Sequence, residues 1–186
     1  MSQSTEELRE YYLAIDVGKV NMGYAIYDGE SFGFNVFSIE DHISKDNKDK
    51  PTKYYKIEVL DKWISNLLKQ YNIVKVIIEQ QVINNVTATI IQTIIESLFF
   101  VRNIPVEEYP AINKFKYLHP QYDSKKKEHK KISTQYAKNI ISHHGYALDN
   151  FNKFKKKDDI SDATCMVFMT WWEDRNDRDM ILRYLK

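Results

Sequence analysis

Tyr11-Tyr12-Leu13-Ala14-Ile15-Asp16-Val17-Gly18 decides how the chain is read. An apolar run this short, bounded by a turn glycine, reads as a strand buried on both faces. It ends on a carboxylate. An ionised side chain in such a segment is costly unless it is paired, protonated or bound to a metal. Outward from this strand, residues 23–27 make a second strand. Asp28-Gly29 is a hairpin turn signal, and residues 32–39 make a third strand, giving an antiparallel meander.

Residues 40–52 are charged and irregular, with Pro51 near their end. Beyond them the period changes. Ile57, Leu60, Ile64, Leu67, Leu68 and Tyr71 recur at helical spacing. Residues 73–79 are apolar on both faces apart from Lys75, which suits a central parallel strand. Further helices are expected over residues 86–101, 132–144 and 158–175, with a short fifth strand at 105–109. The crossover to the fourth strand is right-handed if that strand runs parallel to the first, and the simplest arrangement makes them neighbours. The expectation is one α/β domain over residues 1–186: a mixed five-stranded sheet flanked by helices, the RNase H-like fold.

The 186 residues are 43% hydrophobic and 28% charged, which excludes a wholly disordered chain. No run of eighteen apolar residues exists, so no membrane span or membrane partner is expected. A polar, acidic N-terminus without an apolar stretch suggests an intracellular, reducing compartment. Cys165, the single cysteine, cannot form an internal disulfide or a Cys-rich zinc site, and its neighbours make it a packing residue. Five glycines and no phosphate-loop pattern argue against a nucleotide-binding fold. The net charge of +1 hides a basic block. Residues 113–157 hold 12 basic and 3 acidic side chains, between segments that are both net acidic.

Glu79 repeats the problem of Asp16 at the end of Val76-Ile77-Ile78. On adjacent parallel strands about 5 Å apart, both carboxylates would reach one sheet edge and could share a cation. A third group, Asp158, Asp159 and Asp162, opens the last helix. Spacings of i, i+3 and i, i+4 both put two carboxylates on one face, so helix geometry does not choose between Asp158 and Asp159. Asp158 could equally serve as the N-cap. Oxygen-only ligands point to Mg²⁺, with Mn²⁺ as a substitute. Four carboxylates suffice for two ions about 4 Å apart, an arrangement suited to phosphodiester hydrolysis.

Ala14-Ile15-Asp16-Val17-Gly18 with Asn21-Met22-Gly23-Tyr24-Ala25, then Ile77-Ile78-Glu79-Gln80-Gln81, then Asp159-Ile160-Ser161-Asp162-Ala163, resemble the three motifs of RuvC-type Holliday-junction resolvases. The spacing and the lysine-rich insert are most similar to the poxvirus branch. The resemblance runs from about residue 12 to 170. It implies a homodimer that nicks four-way DNA junctions in symmetric pairs, depends on Mg²⁺ and acts in host cytoplasm. It also implies that Asp16, Glu79, Asp159 and Asp162 are the catalytic, metal-binding acids. For the family's catalytic-site lysines it offers five candidates: Lys125, Lys126, Lys127, Lys130 and Lys131.

Lysines of the basic block neutralise phosphates without sequence choice. The expected DNA contacts are Lys114, Lys116, Lys125, Lys126, Lys127, Lys130, Lys131, Lys155 and Lys156, together with Gln80, Gln81 and Asn84 beside Glu79. Tyr117 and Tyr122 could stack on unpaired bases. The helix over 86–101 is apolar around much of its circumference and needs a partner beyond the sheet; the resemblance makes that partner a second copy of the chain. Three rival readings have separate tests. A sugar-kinase-like ATPase would respond to Mg-ATP, a non-catalytic nucleic-acid-binding module would bind without nicking, and a nuclease for RNA–DNA hybrids would prefer hybrid substrates.

Overall fold

Leu13, Ala14 and Ile15 are completely buried in β1 (Glu10–Asp16), because the strand is covered on both faces. The computed structural model describes residues 9–42, 52–81, 84–117, 126–145, 147–154 and 157–185. β1 is the middle strand of five, with β2 (Asn21–Tyr27), β3 (Phe32–Ser38), β4 (Asn72–Glu79) and β5 (Val106–Tyr109), in the order β3-β2-β1-β4-β5. β1, β2 and β3 form the antiparallel meander, whereas β4 and β5 run parallel to β1. The sheet is therefore the mixed five-stranded one expected as the simplest arrangement of these elements.

The two faces are covered by different helices. Ala14, Ala25, Tyr27, Ile77 and Tyr109 pack on one side with α3 (Lys126–Ser142) and α5 (Asp158–Asp174). Leu13, Ile15, Val76 and Ile78 pack on the other with α1 (Thr52–Gln70) and α2 (Val86–Phe100). α5 is buried along most of its length, and Cys165 lies in its interior as expected.

The register between β1 and β4 is irregular at one point. Tyr11 pairs with Ile73 but Tyr12 pairs with Lys75, so Val74 is passed over. From there the pairs run in step to Ile15 with Ile78, which brings Asp16 and Glu79 level one residue later.

Three features depart from the sequence reading. α3 begins at Lys126 rather than near 132, because lysine and glutamate are good helix formers even where no apolar period marks the turn. Two short helices, α4 (Ala147–Lys153) and α6 (Arg178–Leu185), had no expected counterpart. α6 starts where Asp177 Oδ1 accepts the Met180 N–H at 3.0 Å, and each of the two helices has few buried positions. Asp158 is not the cap of α5: Lys157 occupies the N-cap position, and Lys130 Nζ lies 2.5 Å from the Asp158 carboxylate. Of the segment expected to be irregular, Glu40–His42 form a single 3₁₀ turn, Thr52 already belongs to α1, and residues 43–51 lie outside the described ones.

Candidate metal centre

Asp16 ends β1, Glu79 ends β4, and Asp162 lies one turn into α5. Their carboxylate oxygens converge to within 4.8 Å of one another. Two parallel strands place the first two at the same edge. The third arrives because α5 crosses closely over β2: a Cβ on Gly23, which pairs with Asp16, would lie 2.3 Å from the carbonyl carbon of Asp159. Only glycine permits that approach.

A lysine sits among the acids. Lys114 is almost fully buried, and its Nζ lies 2.6 Å from Glu79 Oε1 and 2.9 Å from Asp162 Oδ2. It is carried by a 3₁₀ turn (Ala111–Phe115) directly after β5. Because Tyr109 of β5 pairs with Glu79, residues just beyond Tyr109 emerge beside that carboxylate.

The electrostatics follow from crowding like charges out of water. Burial, reinforced by the Glu79 carboxylate, pushes Asp16 well above the ordinary carboxylate range. Burial also opposes the charge of Glu79, but the hydrogen bond from Asp16 and the Lys114 ammonium outweigh it and hold Glu79 low. Asp162 is raised, again chiefly by burial, with Lys114 opposing. Burial opposes the charge on Lys114 as well; the two carboxylates override it and lift the group above the usual lysine value. Three carboxylates around one ammonium leave a surplus of negative charge that protonation of Asp16 relieves only in part. Oxygen-only donors at this spacing fit a hard divalent cation, which would remove the repulsion entirely.

Three of the four acids expected at the metal therefore come together, while Asp159 stands outside the group of three, its backbone against Gly23. Among the described residues it is Lys114 whose ammonium touches these acids; of the five in the lysine run, Lys130 pairs with Asp158, Lys131 is exposed, and the other three side chains lie outside the described residues. The run drew attention through charge density, whereas the signal for Lys114 was topological: a lysine a few residues past the strand that borders Glu79. Lys114 is thus placed in the acid cluster rather than on an open surface.

The other expected DNA contacts are distributed as follows. Lys116 Nζ lies 2.5 Å from Glu173, and the Tyr117 hydroxyl donates to the same carboxylate at 2.5 Å, so neither side chain projects freely. Lys130 is on Asp158, and Lys131 is exposed on α3. Gln80 is exposed, its backbone N–H donating to the Tyr109 carbonyl at 3.0 Å, and Asn84 is exposed. Gln81 is half-buried and hydrogen-bonded internally. Lys125, Lys155, Lys156 and Tyr122 lie outside the described residues, as do the side chains of Lys126 and Lys127. A cleft of about 320 Å³ opens over Glu79 and Asp162. Glu79, Lys114 and Asp162 line it together with His129, Lys130 and Ser133, so Lys130 stands at its border.

The mixed five-stranded sheet with its flanking helices is the RNase H-like fold of RuvC-type resolvases. The chain belongs to the poxvirus A22 protein family, whose model it matches over residues 11–174. It is similar in structure to the yeast mitochondrial Holliday junction resolvase Ydc2 (TM-score 0.67, 13% identity, covering 98% of this chain and 87% of that one). It is also similar to Thermus thermophilus RuvC in complex with Holliday junction substrate (TM-score 0.57, 11% identity, 90% and 97% covered). The sequence matches no curated protein.

Proposed function

We propose that this chain is a metal-dependent endonuclease that resolves four-way DNA junctions by paired symmetric nicking, in viral DNA recombination and the processing of replication intermediates. The observation that carries this reading is the convergence of Asp16, Glu79 and Asp162 around Lys114 at one sheet edge. Membership of the poxvirus A22 family and the likeness to two junction resolvases support it. Asp16, Glu79 and Asp162 would hold Mg²⁺ or Mn²⁺, two ions per site, with Asp159 adjacent. A bound divalent cation supplies Lewis-acid activation of water and charge stabilisation at the leaving 3′ oxygen. Lys114 adds a fixed positive charge beside the scissile phosphate, and exposed lysines such as Lys131 attract the backbone.

The active form in this reading is a homodimer. Val86, Ile90, Phe100 and Val101 along and just beyond α2 are more than half exposed, and Ile57 of α1 borders the same surface. Pairing two such faces about a twofold axis removes apolar surface from water and presents two sites to two symmetry-related strands. Host cytoplasm is the proposed place of action. No helix among the described residues is long and apolar enough to cross a membrane.

The test is incubation of an end-labelled four-way junction and a matched linear duplex with Mg²⁺. Paired nicks confined to the junction are expected. Asp16→Asn and Glu79→Gln should each lower the rate by roughly three orders of magnitude, about 4 kcal/mol of barrier, while junction binding persists. Equal cutting of duplex and junction, or parallel loss of binding in both variants, would refute the reading.

A further inference from the structure

One residue on the buried face of α2 breaks its pattern. Ala88, Ile91, Ile95 and Phe99 face the sheet at helical spacing, and Gln92 stands among them, 6% exposed. An aliphatic side chain would suit this position; a buried amide is tolerated only if its polar atoms find partners. Those of Gln92 do. Its Oε1 accepts the backbone N–H of Gln81 at 2.9 Å, and its Nε2 donates to Glu96 Oε1 at 2.6 Å. Gln81 in turn donates from Nε2 to the backbone carbonyl of Glu79 at 3.2 Å. A continuous set of hydrogen bonds therefore runs from Glu96, through Gln92 and Gln81, to the main chain of Glu79.

The location matters. Glu79 is the last residue of β4, and the Gln80 N–H is its final link to β5, through the Tyr109 carbonyl. Beyond that point the sheet no longer fixes the backbone. Movement of the chain just past the strand end, by fractions of an ångström, would pull on the Glu79 main chain and displace its carboxylate. Gln92 supplies the next anchor from the opposite face of the sheet. Glu96 orients it, because an amide that donates to the carboxylate must present its oxygen to Gln81.

We infer that Gln92, oriented by Glu96, is a positioning residue that holds the β4 terminus so that the Glu79 carboxylate meets Asp16 and Asp162. This rests on the reading of the three acids as a cation site. Direct hydrogen-bond partners of metal ligands typically alter affinity or activity about 10- to 100-fold when removed, and Gln92, acting one step further out through Gln81, should fall at the low end of that range.

The experiment uses four variants of the full chain: Gln92→Met, Gln92→Glu, Glu96→Gln, and a double variant that combines the last two substitutions. Mn²⁺ binding is measured directly by titration of each protein, alongside junction cleavage and thermal unfolding. Gln92→Met keeps the volume and removes both hydrogen bonds; it should weaken Mn²⁺ binding about tenfold and slow cleavage by a comparable factor. Gln92→Glu should be similarly impaired, since it sets two carboxylates against each other. The double variant exchanges the amide and the carboxylate between the two positions. The carboxylate at position 92 then accepts from the Gln81 N–H and from the amide at position 96. Binding should recover to within roughly threefold of the starting protein, and all titrations are made well below the melting temperature of every variant, so that loss of folded protein does not contribute.

Unchanged Mn²⁺ affinity in Gln92→Met overturns the inference. So does a loss that tracks the melting temperature across all variants without recovery in the double one. If the starting protein cuts no junction yet its Mn²⁺ affinity still follows this pattern, the positioning role stands and the proposed reaction falls.

Discussion

β4 carries a lysine–carboxylate cluster at each end, and the two are built alike but balanced differently. At its start, Lys75 Nζ lies 2.7 Å from Asp174 and 2.8 Å from Glu107, and the Tyr12 hydroxyl donates to Asp174. At its end, Lys114 lies between Glu79 and Asp162, with Asp16 as a third acid. The Lys75 side chain is 20% exposed and its two carboxylates are 43% and 35% exposed; the Lys114 side chain is 4% exposed and its partners 13% and 21%. Two acids near water need one ammonium and nothing more. Three acids largely withdrawn from water, around one ammonium, remain over-charged. The first cluster fastens α5 to the sheet; the second has a deficit that a cation can fill.

Breaking each cluster should separate them. Lys114→Met in metal-free protein should cost roughly 3 kcal/mol of stability, because buried carboxylates lose their counter-charge. Most of that loss should return on adding Mn²⁺. Lys75→Met should cost only about 1 kcal/mol, since water screens its partners, and Mn²⁺ should leave that difference from the unmodified protein unchanged. Urea unfolding of both variants with and without the ion gives the comparison. A Lys114→Met defect indifferent to Mn²⁺ would erase the distinction.

The unmodified protein should gain about 2.7 kcal/mol from a divalent cation at a hundred times its dissociation constant, and Asp16→Asn should lose most of that gain. Gly23→Ala should cost about 2 kcal/mol, because the added methyl group collides with the backbone at Asp159. It should also lower the Mn²⁺ affinity by shifting Asp162, whereas an alanine at Gly33, where nothing lies closer than 3.8 Å, should leave that affinity intact.

The smallest effect concerns pH. Asp16 and Asp162 have folded values raised above their unfolded ones, so the native state binds more protons over that interval. Metal-free stability should therefore fall as pH rises from the ordinary carboxylate range through the raised values. Glu79, held low, acts in the opposite sense: its contribution is lost on acidification below its ordinary value. Saturating Mn²⁺ should abolish the fall at the upper end. Unfolding curves between roughly pH 4 and 8, with and without the ion, would show whether it does.

Much of this arrangement was readable before any coordinates. Acids that end apolar strands, as Asp16 and Glu79 do, stand out because burial is so unfavourable for them, and the order of elements made the two strands neighbours. Asp162 followed from helical spacing, though spacing could not separate Asp158 from Asp159; the structure places one on Lys130 and the other against Gly23. Lys114 was legible as a basic residue but not as a member of the site, since a 3₁₀ turn has no sequence period that aims a side chain. Gln92 was overlooked because a search for apolar periodicity skips the polar residue on the buried face. The register step at Val74 leaves no trace in composition at all.

That step has a reach out of proportion to its size. Were β4 to pair with β1 from Tyr11 onward without passing over Val74, Ile78 rather than Glu79 would stand level with Asp16. Glu79 would then project through the opposite side of the sheet. The phase of the two acids is thus set about 16 Å away along β4, at the far end of the strand. Deleting Val74 itself would leave the acids level, since the ladder already skips it. Deleting one residue between Lys75 and Ile78 would keep every proposed ligand in the chain and still dismantle the place where they meet.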